Sequence, residues 1–271
     1  YPYLFEAIHK RAAETLMKAD ETKIEDLKAN EYDQLLSEYK IRVAEGGYRI
    51  YTTIDLPLYD ALNETVRTYK GYKPDVDVDV KGIDGKILAK EQIGATVIDV
   101  KTGALLAFVG GRDTENMKNR ALDAYKQPGS SAKPLLAYGP GFANGTLKPD
   151  TILQDTREAA EIRGHTVKNY GGKYHGEVTV SQALRHSYNA AAIDAFHKVG
   201  PENGYDFIAD MNMFVDPKYR VPVGVLGVNG FSPEQMAGAY AMFANNGEFN
   251  ETYLITRIED ANGKTIFEHE I

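Results

Sequence analysis

The stretch Gln127-Pro128-Gly129-Ser130-Ser131-Ala132-Lys133-Pro134 places a serine and a lysine three residues apart at the predicted start of a helix. Positions i and i+3 share one face of a helix, so Ser130 and Lys133 are expected to be neighbours. A serine hydroxyl is a weak nucleophile unless a proton acceptor lies within hydrogen-bond reach. The pair therefore predicts Ser130 as a nucleophile and Lys133 as its proton acceptor. A solvated helix surface carries the same spacing by chance, so the hypothesis needs support from elsewhere in the chain.

The segment before this helix predicts a buried hairpin. Residues 95–100 and 104–109 are near-continuous apolar runs on either side of the Lys101-Thr102-Gly103 turn. Such runs are typical of strands that are covered on both faces. A polar loop, 112–127, then leads to Ser130, and Pro134 is tolerated in the first helical turn because amides there have no intrahelical partner.

Further upstream, residues 4–39 have helical spacing and are predicted to form two helices interrupted at 19–22. Residues 48–54 alternate as a strand, and Asp55 is placed to cap a helix that runs to about Tyr69. Residues 75–80 alternate aspartate with valine, which predicts a strand with a hairpin turn at Asp84-Gly85. The same carboxylates resemble the opening of a calcium loop, but the glycine and the downstream glutamate of that motif are not in register.

Downstream, two helix starts and a hairpin are predicted. Thr179 with Gln182 and Ser232 with Gln235 match capping boxes. The second helix is expected to stop at Asn245-Asn246-Gly247. Residues 253–259 and 264–268 then read as a hairpin across Asn262-Gly263.

Composition narrows the class of protein. The chain has 271 residues, a formal net charge of -8 and no block of Lys or Arg, which argues against a nucleic-acid partner. It has no cysteine, so it has neither disulfides nor thiolate chemistry. No apolar run has the length of a membrane span and no signal peptide is present. The chain opens with Tyr1-Pro2 rather than methionine, and we expect it to be a piece of a longer protein with any membrane anchor outside these residues.

A second chemical element is Ser187-Tyr188-Asn189, which directly follows the helix that Thr179 caps. A hydroxyl and an amide two residues apart point the same way when the backbone is extended. Such a pair could relay a proton to a leaving nitrogen and hold a substrate amide. Taken alone it is an ordinary Ser/Asn turn.

Together these motifs resemble the transpeptidase region of the class A (bifunctional) penicillin-binding proteins. The order of the motifs matches that family from about residue 46 to residue 271, which makes coincidence improbable. The matching stretches are residues 46–55, 101–111, 119–121, 127–130, 169–176, 178–180, 187–189 and 232–247.

The resemblance implies a function and a set of roles. The activity would be that of a D,D-transpeptidase, which cross-links peptidoglycan stem peptides ending in D-Ala-D-Ala and is inhibited by β-lactams through an acyl-serine. Ser130 would be the acylated nucleophile, Lys133 its proton acceptor, Ser187 the proton relay and Asn189 the substrate-binding amide. The Ser130 N–H would supply half of an oxyanion hole. No metal or organic cofactor is implied.

The resemblance also implies an architecture and a location. The fold would be α+β, of the β-lactamase/transpeptidase type, with an antiparallel sheet flanked by helices. Residues 1–45 would be a helical linker following an absent glycosyltransferase domain, and residues 46–271 the N-terminal part of the transpeptidase domain. The protein would act at the extracytoplasmic face of the bacterial cell membrane.

One element of the family pattern is missing. Its third motif, K-T-G or K-S-G, lies C-terminal to S-x-N, whereas Lys101-Thr102-Gly103 precedes Ser130 and reads as a hairpin turn. The fold is thus expected to be incomplete at the C-terminus, with the missing segment absent or on a separate chain. Three alternatives remain open: a D,D-carboxypeptidase or β-lactamase, a non-catalytic β-lactam sensor, and an inactive fragment.

The histidines point to no further chemistry. His165, His175, His186 and His197 lack the spacing of zinc ligands, so solvated or capping roles are expected. His186 adjoins Ser187, but adjacent residues on a helix rarely face each other.

Overall fold

The computed structural model describes residues 1–79, 86–115 and 117–270. The chain divides into two compact units, Tyr1–Ala124 with Ala244–Ile271, and Tyr125–Phe243. The helices are α1 (Pro2–Ala19), α2 (Ala29–Glu45), α3 (Leu56–Thr68), α4 (Gly139–Ala143), α5 (Val180–His186), α6 (Asn189–Val199), α7 (Pro201–Ala209) and α8 (Pro233–Ala244). The strands are β1 (Arg49–Thr52), β2 (Val76–Asp79), β3 (Lys86–Ala89), β4 (Ala95–Ile98), β5 (Leu105–Val109), β6 (Ile152–Asp155), β7 (Glu161–Ile162), β8 (His165–Thr166), β9 (Gly176–Thr179), β10 (Ile255–Glu259) and β11 (Thr265–Glu268).

The first unit opens with the two predicted helices. Helix α1 begins at Pro2, where the missing amide costs no hydrogen bond, and it buries a stripe that includes Leu4 and Leu16. The interruption predicted at 19–22 is confirmed, because α1 ends at Ala19 and Glu21 has a left-handed φ of 61°. None of the helices among the described residues combines the length and the apolar character that a membrane crossing requires.

The terminal hairpin and the first strand form one antiparallel sheet in the order β1-β10-β11. Ile50 lies opposite Ile258, whose side chain is fully buried. The predicted hairpin is confirmed, with Gly263 at a φ of 83° in the turn that only glycine adopts readily. Asp55 caps α3 as predicted, accepting a hydrogen bond of 3.0 Å from the Leu58 amide.

The hairpin β4–β5 is also present, and its burial differs from the prediction. Strand β5 is buried except at Leu106, whereas every residue of β4 is partly exposed. The expectation of two fully covered strands is therefore correct for β5 and wrong for β4. Apolar runs alone do not distinguish a strand with two covered faces from its partner at the margin of the core.

Strands β2 and β3 pair in antiparallel register, which confirms the strand expected from the Asp–Val alternation. The predicted turn at Asp84-Gly85 lies outside the described residues. Within residues 1–79, 86–115 and 117–270, no three Asp, Glu or His side chains cluster as metal ligands would.

The second unit is built around α6, in which the side chains of Ala192, Ile193 and Phe196 are fully buried. Strands β6 and β9 pair beside it. Both predicted capping boxes form. The backbone N–H of Gln182 donates to Thr179 Oγ1 at 3.2 Å, and the backbone N–H of Gln235 donates to Ser232 Oγ at 3.1 Å. Helix α8 ends at Ala244, just before the predicted stop.

The mixed composition of helices and antiparallel strands confirms the α+β class. Among the described residues, the strands form one three-stranded and four two-stranded sheets rather than one large sheet.

Candidate active site

The predicted nucleophile lies in a tight turn that is held by backbone hydrogen bonds to a neighbouring segment. Lys126 and Phe231 exchange both of their N–H···O bonds, at 3.0 and 2.9 Å. Further along, Gln127 Nε2 donates to the Val228 carbonyl at 3.1 Å. The Gly129 amide donates to the Gly227 carbonyl at 3.4 Å, at the weak limit of a hydrogen bond. We refer to residues 126–130 as the nucleophile turn.

Two glycines allow this approach. Gly129 has a φ of 60° and Gly227 a φ of 80°, both in the left-handed region. A Cβ on Gly227 would lie only 2.1 Å from the Gly129 carbonyl oxygen and 2.4 Å from its nitrogen. Glycine is therefore the only residue type at position 227 that lets the two backbones approach this closely.

Beyond Ser130 the chain continues as a single helical segment of changing pitch. A 3₁₀ turn spans Gly129–Ser131, a π-helical turn spans Pro134–Tyr138, and α4 follows. Pro134 carries no amide hydrogen, and the Gly139 amide bonds to the Pro134 carbonyl five residues back. Lys133, at the junction between the 3₁₀ turn and the π-helical turn, points into the protein.

Lys133 is almost completely buried, with 1% of its surface exposed. Its ammonium nitrogen Nζ donates to Asn189 Oδ1 at 2.7 Å, to the Ser187 carbonyl at 2.7 Å and to Ser187 Oγ at 3.0 Å. A lysine ammonium has three N–H donors, so these contacts use all of them. The predicted lysine and the predicted S-x-N residues thus meet, although 54 to 56 positions separate them in sequence.

This environment changes the acid–base chemistry of the lysine. Burial lowers the pKa of Lys133 to about 8, while the charge of Asp155 acts in the opposite direction. Desolvation disfavours the charged form of an amine, which is the dominant effect here. The neutral amine, the form that accepts a proton, therefore makes up about a tenth of the population at pH 7.

Ser187-Tyr188-Asn189 adopts a bent conformation rather than the extended turn expected from the sequence. Ser187 follows the end of α5 with a left-handed φ of 54° and ψ of 42°. Tyr188 is extended, and Asn189 is the first residue of α6. The left-handed backbone of Ser187 reverses the chain between α5 and α6. This reversal brings the Ser187 hydroxyl and the side-chain amide oxygen of Asn189 into contact with Lys133.

Ser130 is solvent-exposed, so a substrate can reach its hydroxyl. Among the described residues no hydrogen bond joins Ser130 Oγ to Lys133, whose donors all face Ser187 and Asn189. The lysine is held one helical turn from the serine by the S-x-N residues. Chemically, this arrangement offers an accessible hydroxyl, a buried amine of lowered pKa and a second hydroxyl in contact with that amine.

Three residues that support the site were not predicted to act there: Asp155, Asn169 and His175. Asp155 is fully buried and accepts hydrogen bonds from Asn169 Nδ2 at 2.8 Å and from the His175 amide at 2.9 Å. His175, for which a solvated or capping role was expected, is solvent-exposed, and its Nδ1 also lies 2.8 Å from Asp155 Oδ2. No local sequence signal marks these partners, since 14 and 20 positions separate them from Asp155.

Lys101-Thr102-Gly103 is a hairpin turn, as predicted. Asp99 Oδ1 accepts from the Lys101 and Thr102 amides at 3.0 and 2.9 Å and from the Thr102 hydroxyl at 2.8 Å. The hydroxyl and backbone of this Thr-Gly pair are therefore occupied in shaping the β4–β5 connection.

The exposed serine, the buried lysine and the S-x-N turn on an α+β scaffold agree with the predicted resemblance to penicillin-recognising proteins. Comparison with known proteins agrees. Residues 93–270 match the family model described as the penicillin binding protein transpeptidase domain. The chain therefore belongs to the penicillin-binding protein transpeptidase domain family, and the predicted resemblance to class A penicillin-binding proteins is confirmed.

Individual relatives support the same assignment. The chain is 33% identical to penicillin-binding protein 1F of Bacillus subtilis over 249 residues, which cover 90% of this chain and 32% of the relative. It is 30% identical to penicillin-binding protein 4 of the same organism over 242 residues, which cover 87% of this chain and 36% of the relative. The chain thus spans about a third of the length of these curated relatives.

Solved structures share the fold. The penicillin-binding protein PonA1 of Mycobacterium tuberculosis superposes with a TM-score of 0.70 at 20% identity, covering 97% of this chain and 62% of that one. Penicillin-binding protein 1A of Haemophilus influenzae gives a TM-score of 0.66 at 21% identity, covering 90% of this chain and 53% of that one.

Proposed function

We propose that this chain is the acyl-transfer region of a peptidoglycan D,D-transpeptidase, with Ser130 as its nucleophile. The observation that carries the proposal is the burial of Lys133 against Ser187 and Asn189, one helical turn from an exposed serine. The substrate would be a stem peptide ending in D-Ala-D-Ala, and β-lactams would compete for the same serine. One of the solved relatives, PonA1, is described in complex with penicillin V.

In the first step, neutral Lys133 would take the proton from Ser130 Oγ as this oxygen attacks the carbonyl carbon of the terminal peptide bond. Negative charge develops on the carbonyl oxygen, where the Ser130 N–H at the start of the helical segment can donate a hydrogen bond. The C–N bond then breaks, D-alanine leaves, and an ester joins the remaining peptide to Ser130 Oγ.

Proton movement would use the contact between Lys133 Nζ and Ser187 Oγ, which lie 3.0 Å apart. Lys133 would pass a proton through the Ser187 hydroxyl to the departing nitrogen, and would regain it from the incoming amine in the second step. That amine, from a neighbouring stem peptide, attacks the ester and restores the Ser130 hydroxyl. Asn189, whose side chain holds Lys133, would also bind the amide of the substrate.

The remaining parts of the proposal concern the longer protein. We place a helical linker at residues 1–45, after a glycosyltransferase domain, and the N-terminal part of the transpeptidase domain at residues 46–271; the family match falls inside the second range. The K-T/S-G element would come from a further segment or a separate chain. The whole would act at the extracytoplasmic face of a bacterial cell membrane, anchored outside these residues.

The nucleophile assignment is tested with the protein at its natural length. Its intact mass is measured before and after incubation with a penicillin. The wild type is expected to gain one penicillin mass and Ser130→Ala none. Ser131→Ala is the matched control, because Ser131 is the exposed neighbour whose hydroxyl bonds to the Pro128 carbonyl, and it should still be acylated. A penicillin adduct on Ser130→Ala would refute the assignment.

The reaction class is tested with a D-Ala-D-Ala peptide and an amine acceptor. A cross-linked product supports transpeptidation. Free D-alanine without a cross-linked product would instead indicate a D,D-carboxypeptidase, and an adduct with penicillin but no peptide turnover would indicate a β-lactam sensor.

A further inference from the structure

We propose that Asp155 is a positioning residue for the acylation reaction, which holds Ser187-Tyr188-Asn189 in place through Asn169 on one side and His175 on the other. This inference rests on the proposed function. It concerns a group that has no role in the proton transfers described above and that no sequence motif predicts to lie near the site.

Asp155 is a fully buried carboxylate at the end of β6. Burying a charge is costly unless it is paired and hydrogen-bonded, so a buried aspartate needs strong partners. Oδ1 accepts from Asn169 Nδ2 at 2.8 Å, and Oδ2 lies 2.8 Å from His175 Nδ1. The His175 amide adds a third donor at 2.9 Å. Both side-chain partners of this carboxylate lead to the same tripeptide.

The first connection runs through Asn169. Its Nδ2 faces the carboxylate, which directs its Oδ1 toward the start of α6. Oδ1 accepts hydrogen bonds from the backbone N–H of Asn189 at 2.7 Å and from the backbone N–H of Ala190 at 3.2 Å. The first amides of a helix have no partner within it, so Asn169 fixes the end of α6 that carries Asn189. The Asn189 side chain also donates to the Lys168 carbonyl at 2.8 Å.

The second connection runs through His175. Its ring stacks on Tyr188 with a centroid separation of 4.2 Å and an interplanar angle of 17°. His186 also stacks against Tyr188, at 5.3 Å and 20°. Tyr188 is the middle residue of the tripeptide, so a ring stacked against two histidines restrains the backbone between Ser187 and Asn189.

The two connections meet at Lys133, because Ser187 and Asn189 supply the acceptors for its three N–H groups. Asp155 therefore acts on the lysine through geometry. It also acts through its charge, which raises the pKa of Lys133 against the effect of burial. The other titratable groups near Asp155 are His175 and Tyr138, whose hydroxyl pKa is raised by burial first and by Asp155 second.

The experiment measures the second-order rate of penicillin acylation as a function of pH, with the protein at its natural length, for Asp155→Asn and for a control. The control is Asp194→Asn, because the Asp194 carboxylate, on α6, also binds β6 by accepting from the Gln154 backbone N–H at 2.9 Å, and its other partner is Lys198 rather than a residue of the tripeptide. We expect Asp155→Asn to lower the plateau rate by about tenfold or more, as small misplacements in an active site do. Asp194→Asn should stay within about twofold.

The pH profile separates positioning from a loss of stability. Without the carboxylate charge the pKa of Lys133 falls, so the pH midpoint of acylation should move down in Asp155→Asn. A residue that only stabilised the fold would reduce the amount of folded protein without moving this midpoint. A folded Asp155→Asn protein with a rate within twofold of the wild type and an unchanged midpoint would overturn the proposal.

A pair of further variants keeps the test decisive if Asp155→Asn does not fold. Asn169→Asp keeps an acceptor for the α6 amides but sets two carboxylates against each other. The double variant D155N/N169D restores a complementary pair, and should be acylated at least about fivefold faster than Asn169→Asp. A double variant no faster than the single one would overturn the proposal. A wild type that takes up no penicillin would remove the proposed function and this inference together, whereas normal acylation of both wild type and Asp155→Asn would remove the inference alone.

Discussion

The nucleophile turn and Lys133 are close together in the chain, yet they are held by different interactions. The nucleophile turn is fixed by backbone hydrogen bonds to residues 227–231 and by a glycine contact that excludes a Cβ. Lys133 is fixed by its own ammonium group, which donates to the Ser187 carbonyl and to the side chains of Ser187 and Asn189, with the buried carboxylate of Asp155 behind them. We expect the first region to respond to the size of a substitution and the second to respond to charge and pH.

The largest effect should come from the lysine. Lys133→Met retains the length and apolar stem of the side chain but removes the amine, so acylation by penicillin should slow by about 10²–10⁴-fold, the usual contribution of general acid–base catalysis. Lys126→Met is the control, because the Lys126 side chain is exposed and only its backbone bonds to Phe231. Both rates are measured by quantifying, on a gel, the protein-bound labelled penicillin as a function of time. A Lys133→Met rate above a tenth of the wild-type rate would show that the amine is not the base.

A smaller effect is expected at the glycine contact. Gly227→Ala brings a Cβ against the Gly129 backbone and should displace the nucleophile turn, slowing acylation by about 10- to 100-fold. Gly145→Ala is matched in backbone, with a φ of 76° against 80°, but a Cβ there meets nothing within 4 Å.

Both alanine variants are destabilised by about 1 kcal/mol, because alanine is strained in a left-handed backbone conformation. Both should therefore have a lower denaturant midpoint of unfolding. Only Gly227→Ala should also lose acylation rate in its folded fraction. Equal rates for the two variants would mean that the close backbone contact does not position Ser130.

The smallest effects are expected at the capping boxes. Thr179→Ala and Ser232→Ala should each lower the free energy of unfolding by about 1 kcal/mol, measured by urea titration. Helix α5 ends next to Ser187, but Lys133 and Asp155 hold the S-x-N tripeptide independently of the Thr179 cap. Acylation by folded Thr179→Ala should therefore stay within about twofold of the wild type. A larger loss would mean that α5 itself positions Ser187.

Local features of the fold could be predicted from the sequence because the residues that determine them are close in the chain. The two capping boxes, the Asp55 cap and the hairpin at Asn262-Gly263 are each encoded within a few positions. The burial of β4 could not be predicted, because it depends on what covers the strand rather than on the apolar run itself.

The residues of the candidate site could be proposed from sequence motifs, whereas the contacts that connect them could not. The S-x-x-K and S-x-N patterns predicted Ser130, Lys133, Ser187 and Asn189 as site residues, and the structure brings the last three into contact. The left-handed backbone of Ser187 and the π-helical turn at Pro134 leave no clear signature in sequence. The buried Asp155 looked like any other aspartate, because its partners lie 14 and 20 positions away.

The proposed role of Lys133, as a base whose neutral fraction is increased by burial, is tested most directly by the pH dependence of penicillin acylation, compared between the wild type and Lys133→Met. Since the pKa of Lys133 is lowered to about 8, the wild-type rate should rise about tenfold per pH unit below that value and level off above it. Lys133→Met should be slow and lack this rise. A wild-type rate that is independent of pH across this range, or the same rise in Lys133→Met, would contradict the assignment of the proton acceptor.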